Sequence, residues 1–150
     1  RDIEYRNEVL KMSAKLMEYF NRQPRLGILG TASKDGIVDV AVMGSLQMID
    51  EKTITAAFAR GRTFANLQEN PNAVYMIMNQ GSEILDWKGI RVYLRMREYV
   101  TSGPQLESYK SQVAKVVGEQ AAEMVHVMVT FDLTEVRPLI DAGQGWEKSI

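Results

Sequence analysis

The clearest chemical signal in this sequence is a group of residues suited to binding phosphate. In Arg60-Gly61-Arg62-Thr63, two arginines flank a glycine, and the threonine stands where a short helix is predicted to begin. A helix N-terminus offers free N–H groups and the positive end of the helix dipole. Arg62 adds a fork that matches phosphate oxygens, and Thr63 adds a hydroxyl. An ordinary helix cap beside two solvated arginines would look the same, so the spacing leaves both interpretations open.

Small residues on two predicted strands leave room for a flat ligand. Met43-Gly44-Ser45 ends one strand, and Ala56-Ala57 lies on the next. A glycine lets the backbone approach a ligand closely. A β-bulge or a glycine packed in the core would give the same pattern.

Arginine and tryptophan residues provide further candidates. Arg91, Arg95 and Arg97 fall on one side of an alternating segment, where they could face a cofactor phosphate, a subunit partner or solvent. Trp87 and Trp146 could each stack on a planar ring or pack in an interface.

Residue counts exclude several kinds of chemistry. The 150 residues include no Cys and a single histidine, His126. Disulfide scaffolds, thiolate zinc sites, iron–sulfur clusters and cysteine nucleophiles are therefore excluded, and no metal site is predicted. His126 is predicted on an exposed strand face rather than in a catalytic role. Redox or group-transfer chemistry would have to come from a bound cofactor.

Charge and hydropathy give no sign of a nucleic-acid or membrane partner. Lys and Arg number 18 and Asp and Glu 19, for a net charge of −1, and the pI is near 5.9. No apolar run approaches the roughly 20 residues of a membrane span. The charged beginning of the sequence does not resemble a signal peptide, so the expectation is a cytoplasmic protein. The length predicts a single domain over residues 1–150.

Periodicity places these candidates on an order of elements. An apolar stripe with helical spacing predicts a helix over 2–22, ending before Pro24. Polar turns such as Lys34-Asp35-Gly36 then separate about four strands that form a meander. Further strands are predicted at 73–79, 90–100 and 124–133, with helices at 63–69 and 104–121 and a tail at 141–150. This pattern predicts a mainly β, α+β fold: a six- or seven-stranded antiparallel barrel over about 25–140, closed or nearly closed, with flanking helices.

Several motifs in this order resemble a known family. They are Gly30-Thr31-Ala32-Ser33-Lys34-Asp35-Gly36, the strand Ala41-Val42-Met43-Gly44-Ser45, the segment from Gly61-Arg62-Thr63 to Asn70-Pro71, and Arg95 with Ser102-Gly103-Pro104. Over roughly residues 8–140 the sequence resembles the pyridoxamine 5′-phosphate oxidase-like superfamily of FMN-binding split barrels.

The resemblance implies a homodimer that binds two FMN molecules at its interface. It assigns the FMN phosphate to Arg62 and Thr63. It places Ala56 and Ala57 beneath the ribityl chain or ring, and it suggests that Arg91 and Trp146 reach the flavin of either subunit. The residues that would line the isoalloxazine ring are Val42, Met43, Gly44 and Ser45.

Two departures from the family pattern limit what the resemblance implies. Thr63 stands where many members have lysine, and residues 141–150 contain no arginine, unlike the substrate-binding end of vitamin B6 oxidases. The resemblance therefore implies an FMN-dependent oxidoreductase of unassigned substrate. The alternatives are a flavin-binding or electron-carrier module without turnover, and a relative that binds deazaflavin F420 or haem. The lone His126 argues against the haem branch.

Overall fold

Short turns join many of the strands, and the sheet is antiparallel throughout. The computed structural model describes residues 2–150. Its strands are β1 (Gly27–Ala32), β2 (Val38–Val42), β3 (Gln47–Asp50), β4 (Thr53–Phe58), β5 (Asn72–Asn79), β6 (Lys88–Val100) and β7 (Val127–Pro138). Its helices are α1 (Asp2–Asn21), α2 (Arg62–Glu69), α3 (Pro104–Val116) and α4 (Glu119–Glu123), with 3-10 turns at Ile84–Asp86 and Trp146–Lys148.

The sheet forms an open barrel. Its strand order is β2-β1-β5-β6-β7-β4-β3, and within residues 2–150 no ladder joins the end strands β2 and β3. Helix α2 contacts β1 and β2 on one side of this opening. The predicted six- or seven-stranded antiparallel split barrel with flanking helices is confirmed, with seven strands in the sheet.

Alternation along the strands directs one face of each into a common core. Buried and half-buried residues alternate strictly in β1. In β6 and β7 the buried residues lie mainly in the first half of each strand. Phe20 of α1 packs against Tyr75 of β5 with ring centroids 5.5 Å apart, and Phe58 meets the edge of Phe131 at 6.5 Å. The end of α1 therefore closes one side of the barrel with aromatic side chains.

The first half of α1 projects away from the barrel. Of the predicted apolar stripe only Leu16, Tyr19 and Phe20 are buried, whereas Tyr5 is 70% exposed. The apolar stripe extends along the predicted helix, but only the C-terminal part of the helix meets the barrel.

Three other predictions require correction. The predicted meander of four consecutive strands is wrong, because the β1–β2 and β3–β4 hairpins lie at opposite ends of the sheet. The strand predicted to end in Met43-Gly44-Ser45 ends at Val42 instead, which leaves residues 43–46 as a loop across the barrel opening. The predicted helix 104–121 is interrupted at Gly118, whose φ of +114° glycine adopts readily.

Candidate functional site

The start of α2 offers backbone donors with no partner inside the helix. Its first helical bond runs from the N–H of Ala65 to the carbonyl of Gly61 at 3.0 Å, so the N–H groups of Arg62, Thr63 and Phe64 precede the bonded turn. No side chain caps this end, and its first turn contains no acidic residue. Arg62 is exposed and Thr63 is 8% exposed. The backbone N–H groups predicted to bind an anion are therefore not used by the helix itself.

Contacts from two strands fix the position of this helix start. The ring of Phe64 meets the ring of Tyr99 on β6 edge-on, with centroids 5.0 Å apart. The buried Asn66 side chain donates to the Thr31 hydroxyl on β1 at 3.1 Å. Because Asn66 and Thr31 would otherwise leave buried polar atoms unpaired, this bond favours one placement of α2 beside β1.

The loop that follows β2 is held by hydrogen bonds to its carbonyl groups. The hydroxyl of Tyr75 donates to the Met43 carbonyl at 2.7 Å. The guanidinium of Arg25 donates to the carbonyls of Gly44 at 3.0 Å and Leu46 at 2.9 Å. Burial raises the pKa of Tyr75, so the phenol stays protonated and remains a donor at neutral pH.

The Ser45 hydroxyl joins the two segments that the sequence predicted to contact a cofactor. It donates to the carbonyl of Ala57 at 2.7 Å and accepts from the N–H of Ala57 at 3.1 Å. Pairing between β3 and β4 ends at Thr55, so the hydroxyl takes the place of a missing strand partner. Residues 43–45 and 56–57 therefore meet at the opening, and the Ser45 hydroxyl is already engaged there.

Replacing Ser45 by alanine should destabilise the protein by roughly 1–3 kcal/mol, because the N–H of Ala57 would lose its partner in a part-buried position. Urea unfolding would measure the change. Ser111→Ala on the exposed face of α3 is the matched control and should change stability by less than about 0.5 kcal/mol. Equal midpoints for the parent and Ser45→Ala would show that this bridge does not stabilise the fold.

The two alanines of β4 have covered side chains. Ala56 is 1% exposed within the main core, and Ala57 is 8% exposed between the sheet and Leu106 of α3. Any contact between these positions and a ligand would therefore involve mainly backbone. Their assignment beneath a ribityl chain or ring stays a prediction.

The outer edge of β2 presents unpaired backbone groups. The N–H of Met43 donates to the Gly27 carbonyl, and the N–H of Ser33 donates to the Ile37 carbonyl. Because hydrogen-bonding direction alternates along an antiparallel strand, the backbone groups of Val38, Val40 and Val42 point away from β1. Val42, predicted to line a flavin ring, is 73% exposed at this open edge.

Arg91 and Trp146 lie away from the start of α2 within one chain. The Nε of Arg91 donates to the Pro138 carbonyl at 3.1 Å, and its guanidinium is 3.6 Å from the Asp141 carboxylate. Along β6, Tyr99 beside α2 is eight residues further on, roughly 26 Å at the rise of an extended strand. Trp146 packs against the main core from the C-terminal segment. Both assignments stay predictions that would need a second chain.

Neither a metal centre nor a membrane span is found in the part of the chain that the structure describes. Residues 2–150 contain no group of three or more His, Cys, Asp or Glu side chains placed to hold a metal ion. None of the helices in this range combines the length and apolar character needed to cross a bilayer.

Residues that sequence reasoning missed hold the site together. Arg25 and Tyr75 lie in no predicted motif, and Asn66 lies in the 61–71 segment without a role predicted for its side chain, because each acts through a contact distant in sequence. A periodic pattern indicates which face of an element is buried, but it does not show which loop the side chain of a half-buried arginine contacts.

An open seven-stranded antiparallel barrel with flanking helices, one of which begins with Arg62, defines a split-barrel protein. The family model described as pyridoxamine 5′-phosphate oxidase matches residues 13–139, and the chain belongs to this family.

The chain is similar to two solved structures and to one protein matched by sequence. An FMN-binding protein from Syntrophomonas wolfei is 24% identical, with a TM-score of 0.70 over 91% of this chain and 95% of that one. The haem storage protein HutZ from Vibrio cholerae is 17% identical, with a TM-score of 0.59 over 79% and 89% of the two chains. An uncharacterized protein of Methanocaldococcus jannaschii is 26% identical over 108 residues, which span 70% of this chain and 71% of the relative. Similarity at this level to FMN-binding and haem-storing proteins establishes the fold and leaves the cofactor to be argued from the site.

Proposed function

We propose that this protein binds FMN in the opening of the barrel, with the phosphate at the start of α2. The observation that carries the proposal is the free N–H groups of residues 62–64, with no acid in the first turn of the helix and the exposed Arg62 beside them. An anionic ligand fits such a helix start. Arg62 and Thr63 would hold the phosphate, as the family resemblance assigns them.

Backbone groups at the opening support a planar ring as the other part of the ligand. The N–H groups of Gly44 and Ser45 have no hydrogen-bond partner among residues 2–150, and Val42 lies at the open edge of β2. A flavin ring carries carbonyl and N–H groups along one side that such backbone could pair with. When bound, FMN supplies the electron and hydride chemistry that the side chains lack. The chain would bind the cofactor, orient it and limit its contact with water.

The opening of the barrel continues into an apolar outer face that favours a second copy of the chain. A shallow cavity there is lined by residues that include Gly30, Val38, Val40, Val74 and Tyr93. An exposed edge strand rich in valine invites association unless it is covered. A homodimer would cover this face and could bring the partner's Arg91 or Trp146 toward the flavin.

Binding to the protein should quench the fluorescence of FMN, and saturation should be reached at one FMN per chain. Riboflavin, which lacks the phosphate, should bind at least about tenfold more weakly, because a charged hydrogen bond contributes roughly 1.5–3 kcal/mol. Titration of the purified protein with each compound measures this selectivity. Absence of quenching at saturating FMN would remove the proposal.

The proposed activity is that of an oxidoreductase with an unassigned substrate. A flavin-binding or electron-carrier module is the second candidate, because Arg25, the cation beside the loop at residues 43–46, is already bonded to backbone carbonyls, and within residues 2–150 no acidic or basic side chain other than Arg25 is bonded to this loop. Steady NAD(P)H oxidation by the FMN-loaded protein would exclude the second candidate. The remaining candidate cofactors are F420 and haem. Competition of each with FMN for binding to the protein, with the bound species identified by its absorbance spectrum, tests them.

A further inference from the structure

Arg25 stands out as a half-buried charged side chain that bonds to several backbone carbonyls. Its guanidinium donates to the carbonyls of Phe20 at 2.6 Å, Gly44 at 3.0 Å and Leu46 at 2.9 Å. It also stacks over the rings of Phe20 and Tyr75, with its Cζ 5.3 Å from each centroid. Its Nε is buried without a hydrogen-bond partner. A buried donor left unpaired is costly, so the placement of this arginine requires a reason beyond packing.

The carbonyl groups that Arg25 and Tyr75 hold belong to one short loop. Tyr75 binds the carbonyl of Met43, and Arg25 binds that of Gly44. Within residues 2–150 the only cis peptide bond is Gln23-Pro24, so the peptides of this loop are trans. In a trans peptide the carbonyl and the following N–H point in opposite directions. The N–H groups of Gly44 and Ser45 are therefore directed away from Arg25 and Tyr75.

These two N–H groups have no acceptor within the described chain. They follow directly on β2 and lie beside Ala57, where the loop spans the barrel opening. Adjacent N–H groups held in one direction by the protein form a preorganised site for negative charge. Reduction of a flavin by two electrons and one proton leaves such a charge on its ring.

We infer that Arg25 is a positioning residue that turns the N–H groups of Gly44 and Ser45 toward the bound flavin. The inference rests on the proposed function. Arg25 itself lies on the opposite side of the loop and acts through the carbonyl groups that it fixes. The two donors would favour the reduced, anionic form of FMN over the oxidised form and so raise the midpoint potential.

Arg25→Lys tests the inference because lysine keeps the charge but lacks the planar fork that reaches two carbonyls at once. We expect oxidised FMN to bind about tenfold more weakly to this variant. The affinity for reduced FMN should fall about tenfold more than the affinity for oxidised FMN. This difference lowers the two-electron midpoint potential by about 30 mV. Fluorescence titration and equilibration with a reference dye measure the two effects.

Arg22→Met is the matched control, since Arg22 stacks on Tyr19 at 5.5 Å near the same end of α1 but makes no bond to the loop. Its FMN affinity and potential should equal those of the parent.

If Arg25→Lys fails to fold, Tyr75→Phe releases the Met43 carbonyl alone and should lower the potential by a smaller amount. A folded Arg25→Lys with parental affinity and potential would overturn the inference while the proposed function stands. A parent protein that does not bind FMN would overturn both.

Discussion

Replacing Arg62 by alanine should weaken FMN binding by roughly 1.5–3 kcal/mol, about 10- to 150-fold. Arg62 is exposed at the first position of α2, next to N–H groups that have no helical partner. Removing its guanidinium would take away a charged donor to the phosphate while the backbone site remains. Isothermal titration or fluorescence quenching with FMN measures the change.

Riboflavin provides the internal control for this prediction. Because riboflavin has no phosphate, its affinity should be the same for the parent and for Arg62→Ala. Arg6→Ala removes an exposed arginine from the projecting part of α1 and should leave both affinities unchanged. Since Arg62 is exposed, its loss should change unfolding free energy by less than about 0.5 kcal/mol. An equal loss of riboflavin binding would assign Arg62 to the ring rather than the phosphate.

The start of α2 was predictable because its signals are local. A glycine, a threonine and the later Asn70-Pro71 mark both ends of the helix within eleven residues, and backbone geometry then determines where the free N–H groups lie. The number of strands was predictable for the same reason, since turns and alternation are read over short windows. These features needed no knowledge of distant contacts.

The arrangement of the hairpins was not predictable from the same windows. A meander and two hairpins at opposite ends of a curled sheet share the same local pattern through residues 26–59. The observed arrangement is held by Tyr75, Arg25 and Ser45, whose bonds to the loop and β4 all join residues at least 12 positions apart. Such contacts hold residues 43–46 as a loop where the local pattern predicted a strand.

The exposed side chains of α1 and β2 illustrate a related limit. Tyr5 and Val40 occupy positions that periodicity assigns to an apolar face, and both are 70% exposed in the single chain. Periodicity identifies an apolar face but does not say whether the chain's own core or a partner covers it. For β2, the adjoining cavity and the open strand edge favour a second copy of the chain as the partner that covers this face.

Replacing Val40 by glutamate should therefore separate the proposed dimer without unfolding the chain. In the single chain this side chain is exposed, so the free energy of unfolding of the monomer should change by less than about 0.5 kcal/mol. In a two-fold dimer the substitution would bury a carboxylate twice, and an unpaired buried charge costs several kcal/mol. We expect the dimer dissociation constant to rise at least about 100-fold.

Sedimentation at micromolar concentration with FMN present measures this change, and Val117→Glu is the control. Val117, at the end of α3, is also 70% exposed but lies outside the cavity on the outer face of the sheet. Its glutamate variant should remain a dimer with parental FMN affinity. Because the proposed site draws on both chains, Val40→Glu should lose FMN affinity together with the dimer. A Val40→Glu protein that stays dimeric would move the interface to another face, and a parent that binds FMN as a monomer would show that one chain completes the site.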